Sequence, residues 1–418
     1  MEISRKEIGK GVFFSHIKTD KYKTGRLSVN FVLPLSSSTA TDYALIFAYL
    51  RMNSKRFESF SELNRTLSDL YGAALYDETS KIGDMQVLSL TASFLNSNAG
   101  VDGETIASKA SDLLLGVIME PKTDGEAFLA AETETQKENL KEEILSEIND
   151  KRRYALRKSI EVLFRDTPFA VSSSGSLEGI DSVTPEKLYK NYKTALKTAA
   201  VEIIYDGPDN TKAIEEKFTA AFSGIADRTP ITPKNSEFIF NGVLERSEKM
   251  SVGQAKEVLI YSLPKERPAV LKVLSALYGG TPFSMLFKTV REEMSLCYYC
   301  SSSYVKSKNI MIVESGVDNG KTVMAKEAIT TELLKASRGE FSDETLSDTK
   351  KYLCGLLKAL EDSPGAFADK YLSAILLPGT REEDEAAEIS AVTREDIMRA
   401  AGNTKLCEVY CLTGGNNE

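Results

Sequence analysis

Apolar and polar residues alternate near the start of the chain, first from Val12 to Ile17 and then from Arg26 to Leu35. In the second segment every other residue from Leu27 to Leu33 is apolar, a period of two that predicts a half-buried β-strand. The stretch Ala-Leu-Ile-Phe-Ala-Tyr-Leu-Arg-Met, residues 44–52, follows and predicts a helix. It carries no side chain suited to catalysis, so it is either an ordinary core helix or a former site whose catalytic side chains are missing.

Capping and turn residues set the elements that come next. Ser59-Phe-Ser-Glu62 has the pattern of a capping box, and the helix that it starts should stop at Gly72. Strands are predicted near 74–81 and 85–94, separated by the turn signal Gly83-Asp84. A sheet of several strands with helices between them is therefore expected in this half.

A helix near 104–119 precedes the longest predicted element, residues 126–165, which contains neither Gly nor Pro. This element must be one long helix or two abutting helices. Glutamates recur along it at helical spacing, as is usual for a solvated face.

The second half of the chain repeats the order of the first. A helix from Thr184 and a strand at 201–205 end the first half, and a strand near 257–262, two helices, two strands and further helices make up the second. The closing segments also match, since Ser-Val-Thr-Pro-Glu-Lys-Leu and Ala-Val-Thr-Arg-Glu-Asp-Ile each lead into a strand. We predict an α+β fold of two tandem homologous domains, 1–228 and 242–418, joined by a linker at 229–241, each an antiparallel-rich sheet covered by helices.

Composition excludes several classes of protein. Hydrophobic residues make up 42% and charged residues 27%, as in a globular protein, and the net charge of −9 argues against nucleic-acid binding. No apolar run reaches the roughly 18–20 residues that would span a bilayer, and the N-terminus lacks a signal-peptide core. A cytoplasmic protein without a membrane partner is expected.

Histidine and cysteine limit the metal chemistry. His16 is the sole histidine, which excludes two-histidine zinc motifs within one chain, and its alternation with Val12 and Phe14 predicts a surface or edge position. The five cysteines lie in the second half, an odd number that is not a disulfide framework. Cys297 and Cys300 form a C-x-x-C in a predicted strand, where residues three apart face opposite sides, so buried free thiols are favoured over a zinc or redox pair.

One run in the second half could carry chemistry, Gly279 to Tyr299. It predicts a loop, a helix ending in Arg291-Glu-Glu, and a strand from Leu296. Arg291 and Tyr298 could therefore lie close together at the junction between the helix and the strand. Guanidinium and phenol donors can hold a carbonyl or a developing oxyanion. The alternative is a surface ion pair beside a packed tyrosine.

The same run resembles the second-domain signature of the insulinase-like M16 metallopeptidase family, with its loop, "RE" and "L-x-Y" in this order. The resemblance extends over the whole chain and implies the LuxS/MPP-like metallohydrolase fold, with Arg291 and Tyr298 contacting a peptide substrate. In active members the first long helix carries His-x-x-Glu-His, and its three positions fall here on Leu45, Ala48 and Tyr49. No zinc ligand and no base remain. Glu142 or Glu143 matches the family's distal Glu, which alone cannot hold catalytic zinc.

Ile148 to Ala155, with the degenerate first helix, is similar to a bacterial subgroup of non-catalytic homologues linked to 5-aminopentanol modification of elongation factor P and accompanied by a zinc-bearing sister. The resemblance implies a subunit that binds no metal or cofactor, is not an enzyme on its own, and completes a peptide-binding chamber in trans with a zinc-bearing M16 homologue. Alternatives are a structural or peptide-binding scaffold, self-pairing as a homodimer, or an independent enzyme. No nucleotide-binding glycine motif is present.

Overall fold

The computed structural model describes residues 2–57, 59–232, 234–239, 242–377 and 384–414. The chain forms two compact units, and each unit takes segments from both halves of the sequence. The first unit comprises Met1–Leu145, Val171–Asn235 and Ser363–Leu376. The second comprises Ser146–Ala170, Ser236–Asp362 and Leu377–Glu418.

Strands and helices follow one another along the described residues. The strands are β1 (Glu2–Gly9), β2 (Val12–Lys18), β3 (Thr24–Pro34), β4 (Ala74–Ile82), β5 (Met85–Leu95), β6 (Thr123–Asp124), β7 (Ala127–Phe128), β8 (Ala200–Gly207), β9 (Leu244–Met250), β10 (Ala255–Ser262), β11 (Cys297–Val305), β12 (Ile310–Val317) and β13 (Lys405–Gly414). The helices are α1 (Ala40–Met52), α2 (Phe60–Asp69), α3 (Gly103–Met119), α4 (Ala130–Asn149), α5 (Lys151–Leu163), α6 (Leu177–Asp181), α7 (Pro185–Thr198), α8 (Lys212–Ser223), α9 (Pro268–Ser275), α10 (Thr322–Ser337), α11 (Asp343–Leu360), α12 (Pro364–Leu376), α13 (Glu385–Ser390) and α14 (Arg394–Asn403). Two π-helical segments lie at Ala276–Gly280 and Phe287–Glu293.

The sheets of the two units share one plan. The first sheet has the order β1-β2-β8-β3-β5-β4 and the second has the order β11-β12-β10-β13-β9. Reversed, the second order matches the first from β2 to β4, and in both sheets the first matched pair is parallel and the others are antiparallel. The predicted α+β fold with two repeated, antiparallel-rich sheets is confirmed.

Each unit contains a helix from the other half of the sequence. In the second unit, Tyr154 and Leu163 of α5 pack with Val258, Ile260 and other apolar residues on one face of the sheet. In the first unit, α12 lies against the sheet through an ion pair of 2.9 Å between Arg26 and Asp369. The compact units therefore differ from the continuous segments 1–228 and 242–418, because each sheet has a second face that needs a cover and a helix from the other half supplies it.

Most predicted elements lie within a few residues of the observed ones. Ser59 caps α2 by accepting from the Glu62 N–H at 3.2 Å. The long segment 126–165 is two abutting helices, because the Asp150 carboxylate caps the start of α5. Strands β1 and β9 were not predicted, since both are charged edge strands without apolar alternation.

Helix length and polarity bear on membrane insertion. Among the residues that the structure describes, no helix is both long and apolar enough to cross a bilayer.

Candidate functional site

In the first unit, a cleft of about 390 Å³ lies between α1, α4 and strand β4. Leu45 and Ala48 line it from α1, Asp77 and Glu78 from β4, and Glu143 from α4. The sole histidine, His16, is not part of the lining. The cleft therefore offers carboxylates but no imidazole. Across the described chain, no group of three or more His, Cys, Asp or Glu side chains is placed to hold a metal ion.

The third predicted motif position, Tyr49, lies in the core instead of the cleft. Its side chain is fully buried and stacks on Phe128 at 4.0 Å between ring centroids. The hydroxyl donates to the Lys122 carbonyl at 2.8 Å and accepts from the Leu129 N–H at 2.9 Å. Burial raises the pKa of Tyr49 to about 12, so the phenol stays neutral. Tyr49 links α1 to the segment around the small sheet of β6 and β7.

The acidic residues of the cleft differ in their surroundings. Asp77 accepts from the Nε of Arg51 at 2.5 Å, so its charge is compensated within the unit. Of the two glutamates predicted for the distal position, Glu143 lines the cleft, whereas Glu142 is exposed and outside it. Beside the cleft, β4 is the last strand of the sheet, so among the described residues no strand pairs with its outer edge. An open edge next to a cleft is a place where an extended peptide can add by main-chain hydrogen bonds.

In the second unit, Arg291 and Tyr298 are both exposed, and each is carried by an irregular element. Arg291 lies in the π-helical segment Phe287–Glu293, with its guanidinium 4.5 Å from the centre of the Phe287 ring. Tyr298 is 61% exposed and has no paired residue on β12. No hydrogen bond joins Arg291 to Tyr298 in the described part of the chain. Two donor groups thus point to solvent near one end of β11.

A β-bulge explains why Tyr298 is exposed. Cys297 pairs with Val317 and Tyr299 with Gly316, so Tyr298 is the extra residue of the bulge. Bulges re-aim side chains and are frequent beside functional sites. The neighbouring Tyr299 is held down instead, because Gly316 has no Cβ; a Cβ there would lie 2.4 Å from the Tyr299 ring. This close approach fixes one tyrosine against the sheet and leaves the other free.

The other side of the Tyr299 ring is covered by Arg152 of α5. The Arg152 guanidinium lies 4.4 Å from the ring centre and donates to both carboxylate oxygens of Glu314, at 2.9 and 3.3 Å. Arg152 belongs to the segment Ile148 to Ala155. The sequence analysis identified this segment by its resemblance to non-catalytic homologues but predicted no structural role for it. Tyr154 of the same segment donates to Glu248 at 2.8 Å. Sequence analysis missed this network because its members lie far apart in the chain.

The bulge also changes the geometry of the C-x-x-C. The prediction that Cys297 and Cys300 face opposite sides is wrong, because the extra residue brings both into one buried apolar cluster. A hydrogen bond from the Cys300 thiol, with a smaller effect of the Arg291 charge, lowers the pKa of Cys297. The same interaction raises the pKa of Cys300. Both thiols are free, as the sequence predicted.

His16 is half-buried on β2, and the expected edge position is wrong because β1 pairs outside it. Its Nε2–H donates to the Gly207 carbonyl at 2.9 Å. Burial lowers the pKa of the ring, so it is neutral at pH 7. The histidine borders an open polar cleft of about 730 Å³. No second histidine is available to build a metal site there.

Comparison with known proteins gives consistent matches. Residues 182–353 match the family described as Peptidase M16 inactive domain. The "Probable inactive metalloprotease YmfF" of Bacillus subtilis (strain 168) is 25% identical over 406 residues, which cover 95% of each chain.

Solved structures match over nearly the whole length. A conserved protein from Enterococcus faecalis V583 is 27% identical with a TM-score of 0.90, covering 100% of this chain and 99% of that one. A peptidase M16 inactive domain from Pseudomonas fluorescens is 16% identical with a TM-score of 0.77 and 99% coverage of both chains, a likeness of fold. Residues 182–353 thus resemble the M16 inactive domain, and over nearly its whole length the chain is similar to M16 peptidase-like proteins, among them a probable inactive metalloprotease.

Proposed function

We propose that this chain is a non-catalytic subunit that pairs with a zinc-bearing M16 homologue and supplies Arg291 and Tyr298 to a shared peptide-binding chamber. The observation that carries the proposal is the asymmetry between the two units. The first unit has aliphatic residues, Leu45 and Ala48, in the cleft of α1, whereas the second presents two exposed hydrogen-bond donors on a bulge and a π-helical segment.

The second unit is suited to binding without catalysing. A guanidinium and a phenol can donate to a peptide carbonyl, but neither takes up a proton from water at neutral pH. The base and the metal would therefore come from the partner. Tyr298 is 61% exposed on the bulge, next to a Tyr299 ring held between Gly316 and Arg152, so the Tyr298 side chain is accessible to a peptide.

The first unit supports a role in holding peptide. The outer edge of β4, which no strand among the described residues pairs with, borders the cleft, and an extended segment could pair with it while its side chains enter the cleft. Leu45 and Ala48, the positions to which the family resemblance assigns the zinc motif, would then contact the peptide. The same surface would serve in a homodimer or in a scaffold with no catalytic contribution.

The proposal is tested by assembling the complex. Homologues that co-purify with this chain from the cytoplasmic fraction of the host are identified, since the five free cysteines favour that compartment. Zinc content and peptide hydrolysis are then measured for this chain, for the partner and for the mixture. We expect zinc in the partner and activity in the mixture only. Hydrolysis by this chain alone would refute the proposal.

Variants test the contribution of the second unit. Arg291→Ala and Tyr298→Phe should each lower kcat/KM of the mixture by roughly tenfold to a hundredfold, as expected for lost hydrogen bonds to a substrate carbonyl. Arg338→Ala is the matched control, because its side chain is 69% exposed and its ion-pair distance of 3.8 Å is long. If Arg291→Ala and Arg338→Ala mixtures are equally active, the scaffold function is the better description.

The scaffold alternative has one specific observation in its favour. Arg291 and Tyr298 have no hydrogen bond to each other, and Arg291 instead stacks on Phe287. Under this alternative, peptides would bind the chain with the same affinity whether residue 291 is Arg or Ala. Equilibrium binding of a fluorescent peptide to both variants distinguishes the two functions.

A further inference from the structure

Four buried or half-buried positions form a polar row across the sheet of the second unit. Cys300 pairs with Ser315, Ser315 pairs with Glu257, and Glu257 pairs with Cys411. Residues directly opposite each other in antiparallel strands point to the same face of the sheet. The row therefore carries a thiol, a hydroxyl, a carboxyl and a second thiol on the face of the sheet opposite α5.

The first unit provides an internal control for this row. The corresponding pairs there run from Leu75 to Ala92, to Leu27 and to Tyr205. All four are buried, and Leu27 and Tyr205 are fully so. The corresponding positions in the first sheet are thus filled by ordinary core residues. Burying a polar group costs free energy unless it is paired, so the fold gives no reason for Glu257 where the other repeat has leucine.

Glu257 is one of the residues that line an open cavity. The cavity has a volume of about 320 Å³ and is also lined by Cys411, Val409 and Thr413. Glu257 is 2% exposed, and its Oε2 accepts from the Ser315 hydroxyl at 3.3 Å. Its Oε1 has no hydrogen-bond partner within the described chain. Burial raises the pKa of the carboxyl to about 7, against smaller opposing effects of the Ser315 hydrogen bond and the Lys326 charge, and a bound cation would lower it further.

One side chain that lines the cavity is smaller than its counterpart in the first unit. In the first unit, the ring of Tyr205 occupies the position of Cys411, and its hydroxyl donates to Asp209 at 3.2 Å. Cysteine is smaller than that ring, and Cys411 lines the cavity together with Glu257. The second unit therefore has Cys411 and Glu257 in its cavity lining where the first unit has the buried Tyr205 and Leu27.

The rest of the lining includes Arg246, Glu245 and the start of α10. Thr322 and Val323 line it with the first turn of α10, a 16-residue helix whose N-cap residue, Lys321, provides no side-chain hydrogen bond. The first N–H groups of such a helix are free to bind an anion. Lys326 from the same helix also lines the cavity, and it pairs with Glu245 at 3.0 Å.

We propose that this cavity binds a small zwitterion of the amino-acid type, its ammonium group on Glu257 and its carboxylate on the first turn of α10. An ammonium group satisfies the unpartnered Oε1 and neutralises the buried carboxylate. A carboxylate beside Thr322 and Val323 meets the first N–H groups of α10 and the positive end of the helix. The inference does not depend on the proposed function, because the cavity belongs to the other end of the sheet order from the bulge strand β11.

A ligand series tests the two charges separately. Binding to the full chain is measured by calorimetry with glycine, γ-aminobutyrate and ε-aminocaproate, which differ in the distance between ammonium and carboxylate. Butylamine and butyrate carry one charge each and serve as controls. We expect one of the zwitterions to bind at least roughly tenfold more tightly than either control. Equal binding of that zwitterion and butylamine, or no binding by any zwitterion, overturns the proposal.

Variants assign the binding to the cavity. Glu257→Gln keeps the shape and removes the charge, and should abolish binding. Glu257→Leu installs the residue of the first unit and should abolish binding while keeping or raising the melting temperature, which excludes unfolding as the cause. Glu408→Gln is the matched control, since this fully buried glutamate of β13 is not part of the cavity lining. Undiminished binding by Glu257→Gln would refute the assignment.

Discussion

Glu408 on β13 carries a carboxyl group whose burial should make the stability of the second unit depend on pH. The residue is fully buried, and neither carboxyl oxygen has a hydrogen-bond partner among the described residues. Burial raises the pKa of Glu408 to about 8, against a smaller opposing effect of the Arg246 charge. The folded state therefore holds this group protonated at neutral pH.

The sign of the effect follows from proton binding. In the unfolded chain the carboxyl ionises near its ordinary pKa of 4.5, whereas in the folded chain it ionises near 8. The favourable contribution of the protonated form is complete below about pH 4.5 and is lost as the pH rises to about 8. Each pKa unit corresponds to about 1.4 kcal/mol, so the total loss is on the order of 3–5 kcal/mol.

Glu408→Gln isolates this contribution, because glutamine has the shape of protonated glutamate and does not ionise. We expect the variant and the wild type to be equally stable near pH 4. At about pH 9 the variant should be more stable by roughly 3–5 kcal/mol, or a melting temperature higher by about 10 °C. Thermal unfolding followed by circular dichroism at several pH values measures the difference.

An exposed glutamate provides the control for the pH series. Glu395→Gln changes the same functional group on the surface of α14, so it should shift the melting temperature by a small amount that hardly varies with pH. If the Glu408→Gln and wild-type curves stay parallel from pH 4 to pH 9, the carboxyl is not the buried, unpaired group that the structure describes.

Three further predictions follow from contacts in the two units. Arg5→Gln removes the guanidinium that donates to both carboxylate oxygens of the buried Glu202, at 2.6 and 3.1 Å. The variant should be less stable by about 2–4 kcal/mol in urea unfolding at pH 7. An unchanged unfolding midpoint would contradict the idea that Arg5 compensates the charge of Glu202. Gly316→Ala places a Cβ against the Tyr299 ring and should cost about 1–3 kcal/mol, whereas no loss would mean that the ring is free to move. Tyr49→Phe leaves the Lys122 carbonyl and the Leu129 N–H without their hydroxyl partner. It should lower the free energy of unfolding by about 1–3 kcal/mol in the same assay. An unchanged stability would mean that water replaces the hydroxyl.

The repeated architecture could be predicted from sequence because it rests on local signals. Period-two alternation predicted β3, and the capping residues Ser59 and Thr184 fixed the starts of α2 and α7. Matching endings in the two halves predicted a repeat that the shared strand order confirms. Strands β1 and β9 were not predicted because they are edge strands rich in charged residues. Such residues protect an edge from pairing with other chains, and they leave no alternation of apolar and polar positions to detect.

The site could be predicted only in part. The resemblance to M16 peptidases directed attention to Leu45, Ala48, Arg291 and Tyr298, and the structure places the first two in a cleft and the last two on the surface. Their role in binding peptide stays a prediction. The bulge at Tyr298 had no signal in the sequence, because a bulge is defined by the pairing of two strands.

The sequence by itself determined the elements, the repeat and the absence of two-histidine zinc chemistry within this chain, because these depend on residue identity and short-range spacing. Tertiary structure decided which helix covers which sheet, with α5 and α12 each packing in the unit of the other half. It also decided that Cys297 and Cys300 share one face and that Glu257 opens into a cavity. These features arise from strand register and long-range packing, which bring together residues that no local pattern connects.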